Sequence, residues 1–138
     1  MDIEIADANQ WDWRPTLFEC FTKIKDMWRT AREIAEYLET SVGKATFGAW
    51  VASMGREPVG AVCCELCFDD RQQAFCGVAF AWIKGGVDIG RKLMDRVEDW
   101  ARRRNIATLK MYTRRNPEAW QRRYGFTVEN ILMTREID

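Results

Sequence analysis

The stretch of sequence that decides the fold is residues 74–97, AFCGVAFAWIKGGVDIGRKLMDRV. Its first part, residues 74–83, is apolar at both odd and even positions, which is typical of a strand covered on both faces of a sheet. A loop with two glycines follows at residues 84–88. The apolar residues between 93 and 101 then recur at a spacing of three or four, which indicates an amphipathic helix. The stretch therefore predicts a central strand, a glycine-containing loop and a helix.

The sequence before this stretch predicts that the central strand is the third of an antiparallel meander. Strand-length segments cover residues 46–54, 59–68 and 74–83. Turn-forming residues separate them at positions 55–58 and 69–72. Because the third segment is apolar on both faces, we expect helices to pack on both faces of the sheet.

The outer parts of the chain extend this sheet. A short strand is predicted over residues 1–5, and two helices or one bent helix between residues 16 and 43. Downstream we expect a strand at 106–113, a short helix at 117–123 and a closing pair of strands at 126–137. A right-handed crossover through the long helix would place its flanking strands side by side and parallel. The prediction is a mixed α/β fold, with a mostly antiparallel sheet and helices on both faces.

Length and composition predict one domain over residues 1–138, because a chain this long, with 47% hydrophobic residues, buries a substantial core. No apolar run approaches the roughly 20 residues of a membrane span, and the first residues do not resemble a signal peptide. We therefore expect a cytoplasmic protein without a membrane partner. Four of its five cysteines lie in two neighbouring predicted strands, and we interpret them as small buried hydrophobic residues of a reducing compartment rather than as metal ligands.

The charges are balanced overall but unevenly distributed. Residues 1–69 carry 7 basic and 12 acidic side chains, whereas residues 70–138 carry 14 and 9. The second half is therefore suited to an anion. Its arginine clusters at 102–104, 114–115 and 122–123 accompany no nucleic-acid recognition motif, so we expect no nucleic-acid partner. The chain has no histidine, and acid-base chemistry would have to use other side chains.

The loop before the long helix has the features of an anion site. The first amides of a helix are unpaired, and glycine allows a ligand close to the backbone. Lys84, Arg91 and Lys92 add positive charge. An alternative is that the Asp88 carboxylate accepts these amide protons, caps the helix and repels an anion. On the residues alone, a phosphate site and a self-capped helix start both remain open.

Residues 74–126 resemble the GNAT N-acetyltransferase superfamily. The acetyl-CoA loop of that family typically reads R-G-x-G-x-G or Q-x-x-G-x-G/A, and this chain matches it at Gly86, Ile89 and Gly90. It departs from the pattern at Gly85, where the family usually has Arg or Gln, and at Asp88, where it usually has Gly.

A second motif supports the same resemblance. Residues 116–119, Asn-Pro-Glu-Ala, followed by Gly125 and Phe126, are similar to the N-x-x-A and G-F elements of the family's second crossover. The order of predicted strands and helices also agrees with the family over the whole chain.

The resemblance implies an enzyme that transfers acetyl from acetyl-CoA to a primary amine of a small molecule or a protein, by direct attack of the amine. The first helices and the meander would contact the acceptor. Residues implied to bind the cofactor are Ile83, Lys84, Gly86, Val87, Asp88, Gly90, Arg91 and Asn116.

Two residues are candidates for the proton transfers of such a reaction. Glu65 lies in the middle of a predicted strand, where a carboxylate would serve as general base. Tyr124 would be the general acid, although the tyrosine position of the family falls on Arg123. The alternatives are a solvent-facing role for Glu65 and simple packing of Tyr124 beside Phe126.

A different class of function also fits the sequence. The departures at Gly85 and Asp88 favour a non-catalytic GNAT-like module that binds a partner or supports an assembly, with an eroded CoA site. Such a module would be indicated if Phe80 or Trp82 filled the space between the strands that flank the long helix. The sequence leaves the acceptor undetermined and a homodimer open.

Overall fold

A computed structural model describes residues 2–25, 27, 29–111, 117–127 and 135 of the chain. Its strands and helices in chain order are β1 (Ile3–Asp7), a short 3₁₀ helix (Trp11–Trp13), α1 (Arg14–Phe21), α2 (Ala31–Ser41), β2 (Phe47–Met54), β3 (Glu57–Phe68), β4 (Ala74–Ile83), α3 (Val87–Arg103), β5 (Leu109–Met111) and α4 (Pro117–Tyr124).

The five strands form one mixed sheet in the order β1-β2-β3-β4-β5. β1 to β4 are antiparallel neighbours, and β4 pairs with β5 in parallel, from Cys76 opposite Leu109 to Val78 opposite Met111. The meander and the parallel pair across the long helix are therefore confirmed. The predicted closing strands fall largely outside the described residues.

β4 carries an irregularity beside the end of its pairing with β5. On β3, Cys63 lies opposite Phe80 while Cys64 lies opposite Val78, so Ala79 is an extra residue in β4. Such a bulge bends a strand and interrupts its ladder. The described pairing with β5 stops at Val78, and the rest of β4 continues to Ile83.

The core has two parts, one on each face of the sheet. On one face α1 and α2 bury Phe21, Ile34 and Leu38 against sheet residues that include Phe47 and Phe80. On the other face, α3 packs a stripe of buried residues on the sheet: Ile89, Leu93, Met94, Val97, Trp100 and Ala101. The expectation of helices on both faces is confirmed.

Gly60 of β3 sets how closely α3 approaches the sheet. A Cβ at this position would lie 2.9 Å from Cδ1 of Leu93 and 3.0 Å from Cγ2 of Ile89. The absence of a side chain therefore lets the first turns of α3 sit directly on β3. In this way the sheet fixes the position of the helix start.

The ends of the helices follow from local sequence. α2 begins with a capping box, in which the Thr30 hydroxyl accepts the Glu33 amide and the Glu33 carboxylate accepts the Thr30 amide. α1 has Pro15 in its first turn and begins two residues earlier than predicted, at Arg14. α3 is followed by Asn105 in the left-handed conformation, as expected from its sequence. Among the described helices, none is both long and apolar enough to cross a bilayer.

Candidate functional site

The start of α3 is exposed and has no side-chain cap. Its N-cap residue, Gly86, adopts φ +102° and ψ −173°, and a Cβ there would meet no atom within 4 Å. The Gly90 amide donates to the Gly86 carbonyl at 3.4 Å. The amides of Val87, Asp88 and Ile89 precede this bond, so they have no carbonyl partner within the helix. This end of the helix presents free donors and the positive end of its dipole.

Asp88 does not cap the helix. Its side chain is exposed in the first turn, and no amide in the described part of the chain donates to its carboxylate. The alternative of a self-capped helix start is therefore not what the structure shows, because Gly86 rather than Asp88 occupies the N-cap position. The charge of Asp88 still stabilises the helix start through the dipole and repels an incoming anion.

Lys84 is engaged with β3 and contributes less positive charge than expected. Its ammonium group lies 2.8 Å from the Glu57 carboxylate, and this ion pair lowers the pKa of Glu57. Its backbone amide donates to the Val59 carbonyl at 2.9 Å. The preceding predicted cofactor residue, Ile83, pairs with Gly60. Lys84 is therefore a link between strands, and its amide is not available to a ligand.

Arg91 and Lys92 lie beyond Asp88 in the first turns of α3, and both are exposed. Neither side chain makes an ion pair with a described residue. Arg91 is close enough to Tyr124 to lower the pKa of its hydroxyl. Of the three cations predicted at this loop, Arg91 and Lys92 are the ones that remain available to an anion.

α4 places Tyr124 directly on the start of α3. A Cβ at Gly90 would overlap the Tyr124 hydroxyl and lie 2.6 Å from its Cζ, so only glycine fits beneath this ring. Burial raises the pKa of Tyr124, while the charges of Arg123 and Arg91 oppose that effect. Trp120 packs on Tyr124 at 5.1 Å between ring centroids. Tyr124 is thus a packing residue whose hydroxyl lies against the first turn of α3.

Gly85 also lies against α3. A Cβ at this position would overlap Cδ1 of Ile89, which is buried in the core. The backbone of the loop therefore runs close to the first turn of the helix. This contact gives a structural reason for glycine where the resembling family usually has Arg or Gln.

Glu65 is fixed by a partner that the sequence analysis missed. The Tyr37 hydroxyl donates to Oε2 of Glu65 at 3.0 Å. The ring of Tyr37 contacts Phe47 and Phe80 edge-on, with centroids 6.0 and 5.4 Å apart. Burial raises the pKa of Tyr37, so the hydroxyl keeps its proton. The Glu65 side chain is half-buried among aromatic rings rather than facing solvent.

A signal for Tyr37 exists in the sequence. It lies three residues after Ile34 and next to Leu38, on the buried stripe of α2. A tyrosine on a buried stripe needs a hydrogen-bond partner for its hydroxyl. Sequence spacing identifies that need, but only the fold identifies Glu65 as the acceptor.

The two candidate catalytic side chains lie on opposite faces of the sheet. Glu65 follows Ala61 and Cys63 on the face covered by α1 and α2, and Tyr124 packs against the core beneath α3. Asn116, predicted to contact the cofactor, lies outside the described residues.

Phe80 and Trp82 face α1. Phe80 stacks on Phe21 with ring centroids 5.2 Å apart. Trp82 packs against the same core, with the Lys23 ammonium 5.1 Å from its ring. Both side chains are therefore on the α1 side of β4 and not beneath α3.

The cysteines are free thiols. Cys63, Cys64 and Cys76 are buried. Burial raises the pKa of Cys63, and a hydrogen bond with Cys76, together with burial, raises the pKa of Cys64. The part of the chain that the structure describes holds no group of three or more acidic or cysteine side chains arranged for a metal ion. Cys63, Cys64 and Cys76 are all core residues, and Cys63 and Cys64 keep their protons.

Comparison of the fold with solved structures finds acetyltransferases over the full chain. A GCN5-related N-acetyltransferase from Ralstonia eutropha JMP134 is 15% identical, with a TM-score of 0.76 and 99% of each chain covered. An aminoglycoside 6'-N-acetyltransferase from Acinetobacter haemolyticus is 12% identical, with a TM-score of 0.75 and 100% of each chain covered. A predicted acetyltransferase from Clostridium acetobutylicum, solved with acetyl-CoA, is 12% identical, with a TM-score of 0.71, 98% of this chain and 95% of that chain being covered.

At these identities the likeness concerns the fold. A comparison with curated protein sequences found no match. The family model described as Acetyltransferase (GNAT) family matches residues 6–126, which include the meander, the glycine loop and α4. The chain belongs to the GNAT acetyltransferase family.

Proposed function

We propose that this protein transfers the acetyl group of acetyl-CoA to a primary amine by direct attack. Membership of the GNAT family supports acetyl transfer in general. The observation that carries the finer proposal is the exposed start of α3, where the amides of residues 87–89 are free and Gly86 leaves the backbone open.

The start of α3 would hold the pyrophosphate of the cofactor. Three consecutive amides and the helix dipole favour a phosphate group, and Arg91 and Lys92 add charge without a competing ion pair among the described residues. Asp88 opposes binding by its charge alone, since it occupies none of the amides. The residues present therefore fit the cofactor, with an affinity that Asp88 reduces.

The acetyl end of the cofactor would lie beside the part of β4 that follows Val78. From there the thioester would be open to Glu65 on one face and Tyr124 on the other. Glu65 would accept the proton of the ammonium group and so generate the neutral amine. The amine nitrogen then forms a bond to the thioester carbonyl carbon as the carbon–sulfur bond breaks. Tyr124 would donate its proton to the departing thiolate, and the second proton, which the nitrogen loses on becoming an amide, would return through water to the tyrosinate.

The acceptor would approach from the side of α1 and α2. Here Tyr37 holds the Glu65 carboxylate in place, and the aromatic rings around it restrict water. The acidic balance of the first 69 residues suits a cationic amine. We propose a primary amine on a small molecule or on a protein.

The test is release of free CoA from acetyl-CoA in the presence of a panel of primary amines. Glu65→Gln should lower kcat about 10²–10⁴-fold with acetyl-CoA affinity unchanged, because the general base acts only on the acceptor. Glu57→Gln is the matched control: this glutamate is on the same strand, is exposed, and should leave kcat within about twofold.

Two outcomes would contradict the proposal. Acetyl-CoA binding without CoA release for any amine would indicate a non-catalytic module that has kept its cofactor site. Equal rates for the Glu65→Gln and Glu57→Gln variants would show that the base is another group.

A further inference from the structure

A groove lies at the end of α3 remote from the glycine loop. It is formed by the last turns of α3, the start of β2 and the end of β1, and its volume is about 330 Å³. Known sites for small molecules begin near this size. Arg103, in its wall, is 13 residues beyond Gly90, about 20 Å along a helix with a rise of about 1.5 Å per residue. The groove residue of α3 nearest the loop, Arg96, is six residues beyond Gly90, about 9 Å along the helix. None of the residues that line the groove belongs to the proposed cofactor site.

Two tryptophans meet at Gly48, which lines the groove. A Cβ on Gly48 would lie 2.8 Å from Cη2 of Trp50 and 2.9 Å from Nε1 of Trp100. Both tryptophans are more than nine-tenths buried, with 7% and 6% of their surface exposed. The missing side chain at Gly48 gives both rings access to the groove.

The indole N–H of Trp100 has no acceptor among the described residues. In that part of the chain, no side-chain nitrogen or oxygen is both fully enclosed and without a partner. The N–H therefore reaches the groove surface, beside Gly48. A largely buried donor without a protein acceptor favours a ligand that can accept a hydrogen bond.

Arg104 is held in a fixed orientation on the same wall. Its Nη1 donates to the Trp100 carbonyl at 3.1 Å and its Nη2 to the Ala45 carbonyl at 3.2 Å. Its guanidinium carbon lies 4.0 Å from the centroid of the Trp100 ring. Since a guanidinium has five N–H groups, these contacts leave donors for a ligand.

Arg96 and Arg103 complete an excess of positive charge. They also line the groove, and neither makes an ion pair with a described carboxylate. Their neighbour Arg102, in contrast, binds Glu98 at 3.1 Å and Asp99 at 3.0 Å. Glu98 and Asp99 therefore pair with Arg102, and neither of them forms an ion pair with Arg96 or Arg103.

One carboxylate, Asp7, also lines the groove. Oδ1 of Asp7 accepts a hydrogen bond from the backbone amide of Asn9 at 2.9 Å, and Asp7 makes no ion pair with a described arginine. The side chain of Asn9 already makes hydrogen bonds within the protein, since its Nδ2 donates to the carbonyls of Lys44 and Phe47. The groove thus offers three guanidinium groups and an indole N–H against one carboxylate.

We propose that this groove binds a small organic oxyanion, a carboxylate or a phosphate monoester. The oxyanion accepts hydrogen bonds from Trp100 and the guanidinium groups, and the buried rings of Trp50 and Trp100 supply an apolar wall for its organic part. The site is independent of acetyl transfer.

The experiment titrates the full chain, with acetyl-CoA present, with benzoate and with phenyl phosphate, and uses benzamide as the uncharged control. Binding is followed through the indole N–H signals in NMR spectra. At least one oxyanion should shift the Trp100 signal, and benzamide should not. Benzoate alone indicates a carboxylate site, phenyl phosphate alone a phosphate site, and both together a general oxyanion site.

Arg103→Gln and Arg102→Gln form a matched pair, because both residues are exposed in the last turn of α3 and only Arg103 lines the groove. Arg103→Gln should weaken binding about tenfold, and Arg102→Gln by less than about twofold. The proposal is overturned if neither oxyanion shifts the Trp100 signal at about 10 mM, because the dissociation constant would then be well above about 10 mM. Equal weakening by the two variants would also overturn it.

Discussion

The two faces of the sheet carry different parts of the proposed reaction in different ways. Under α3, glycines bring backbone close to side chains: Gly60 against Leu93 and Gly90 against Tyr124. Under α1 and α2, aromatic rings surround a single hydrogen bond between Tyr37 and Glu65. The α3 face is built for a close approach to backbone amides, and the opposite face for holding one carboxylate. In the proposed reaction, cofactor and acceptor would therefore meet across the sheet rather than on one side of it.

Replacement of the Tyr124 hydroxyl should have the largest effect on the α3 face. Tyr124→Phe is expected to lower kcat about 10²–10⁴-fold, because the thiolate would then leave without a proton donor. A general acid acts in its protonated form, and the pKa of Tyr124 is raised above the ordinary value of about 10. Wild-type activity should therefore persist through neutral pH and fall only above about pH 10. Steady-state rates against pH measure both effects.

An unchanged rate in Tyr124→Phe would make this tyrosine a packing residue and remove the acid from the α3 face. The comparison between the faces would then rest on the cofactor alone.

The contact between Gly90 and Tyr124 should be the next most sensitive feature. Gly90→Ala would push Tyr124 and α4 away from the start of α3, and overpacking of this kind costs about 1–3 kcal/mol. We expect acetyl-CoA affinity to fall about tenfold, measured by isothermal titration. Adding Tyr124→Ala should recover most of the affinity, since it removes the overlapping ring. Additive losses in the double variant would show that the two residues act independently.

The charge of Asp88 should produce a smaller effect of opposite sign. Asp88→Asn removes a negative charge at the helix start, and two charges about 4 Å apart in water interact by about 1 kcal/mol. Acetyl-CoA should therefore bind about fivefold more tightly at low salt, with the gain shrinking at high salt. Asp95→Asn, two turns further along the exposed face of α3, is the control and should change affinity little. Equal affinities of wild type and Asp88→Asn for acetyl-CoA would show that the pyrophosphate does not bind at the start of α3.

The capping box of α2 should give the smallest effect, confined to the other face. Thr30→Ala removes the hydroxyl that accepts the Glu33 amide and should lower the free energy of unfolding by about 1 kcal/mol, measured by urea denaturation. Acetyl-CoA affinity should not change, because α2 and α3 pack on opposite faces of the sheet.

The pH dependence of the capping box has a defined sign. The hydrogen bond from the Thr30 amide lowers the pKa of Glu33 in the folded protein. The stabilisation by Glu33 is therefore present at neutral pH and is lost as the pH falls below about 4. An altered cofactor affinity in Thr30→Ala would mean that the two faces are coupled.

The α3 face could largely be predicted from the sequence because its signals are local. The glycine loop and the amphipathic stripe predict α3, and the helix predicted at residues 117–123 corresponds to α4, which ends at Tyr124. The sequence could not predict which residue is the N-cap of α3. The structure places Gly86 there, two residues before Asp88, and this difference leaves the first amides of the helix free. Residue spacing could not predict the ion pair between Lys84 and Glu57, because these residues lie 27 positions apart in the sequence.

The α1 and α2 face could be predicted only in outline. The helices and strands follow from periodicity, but the partner of Glu65 lies 28 residues away in sequence. Such a contact depends on how α2 crosses the sheet, and no local pattern encodes that angle. The bulge at Ala79 was not expected for the same reason, because the register of two strands is set by both together.

The most direct test of the account is to map acetyl-CoA on the backbone by NMR. We expect the amides of residues 86–90 to show the largest chemical-shift changes and the Tyr124 ring signals to show the next largest. The amide signals at the Arg102–Arg104 end of α3 should not change. The result that would contradict it is an absence of shifts at millimolar acetyl-CoA, or shifts centred away from the start of α3.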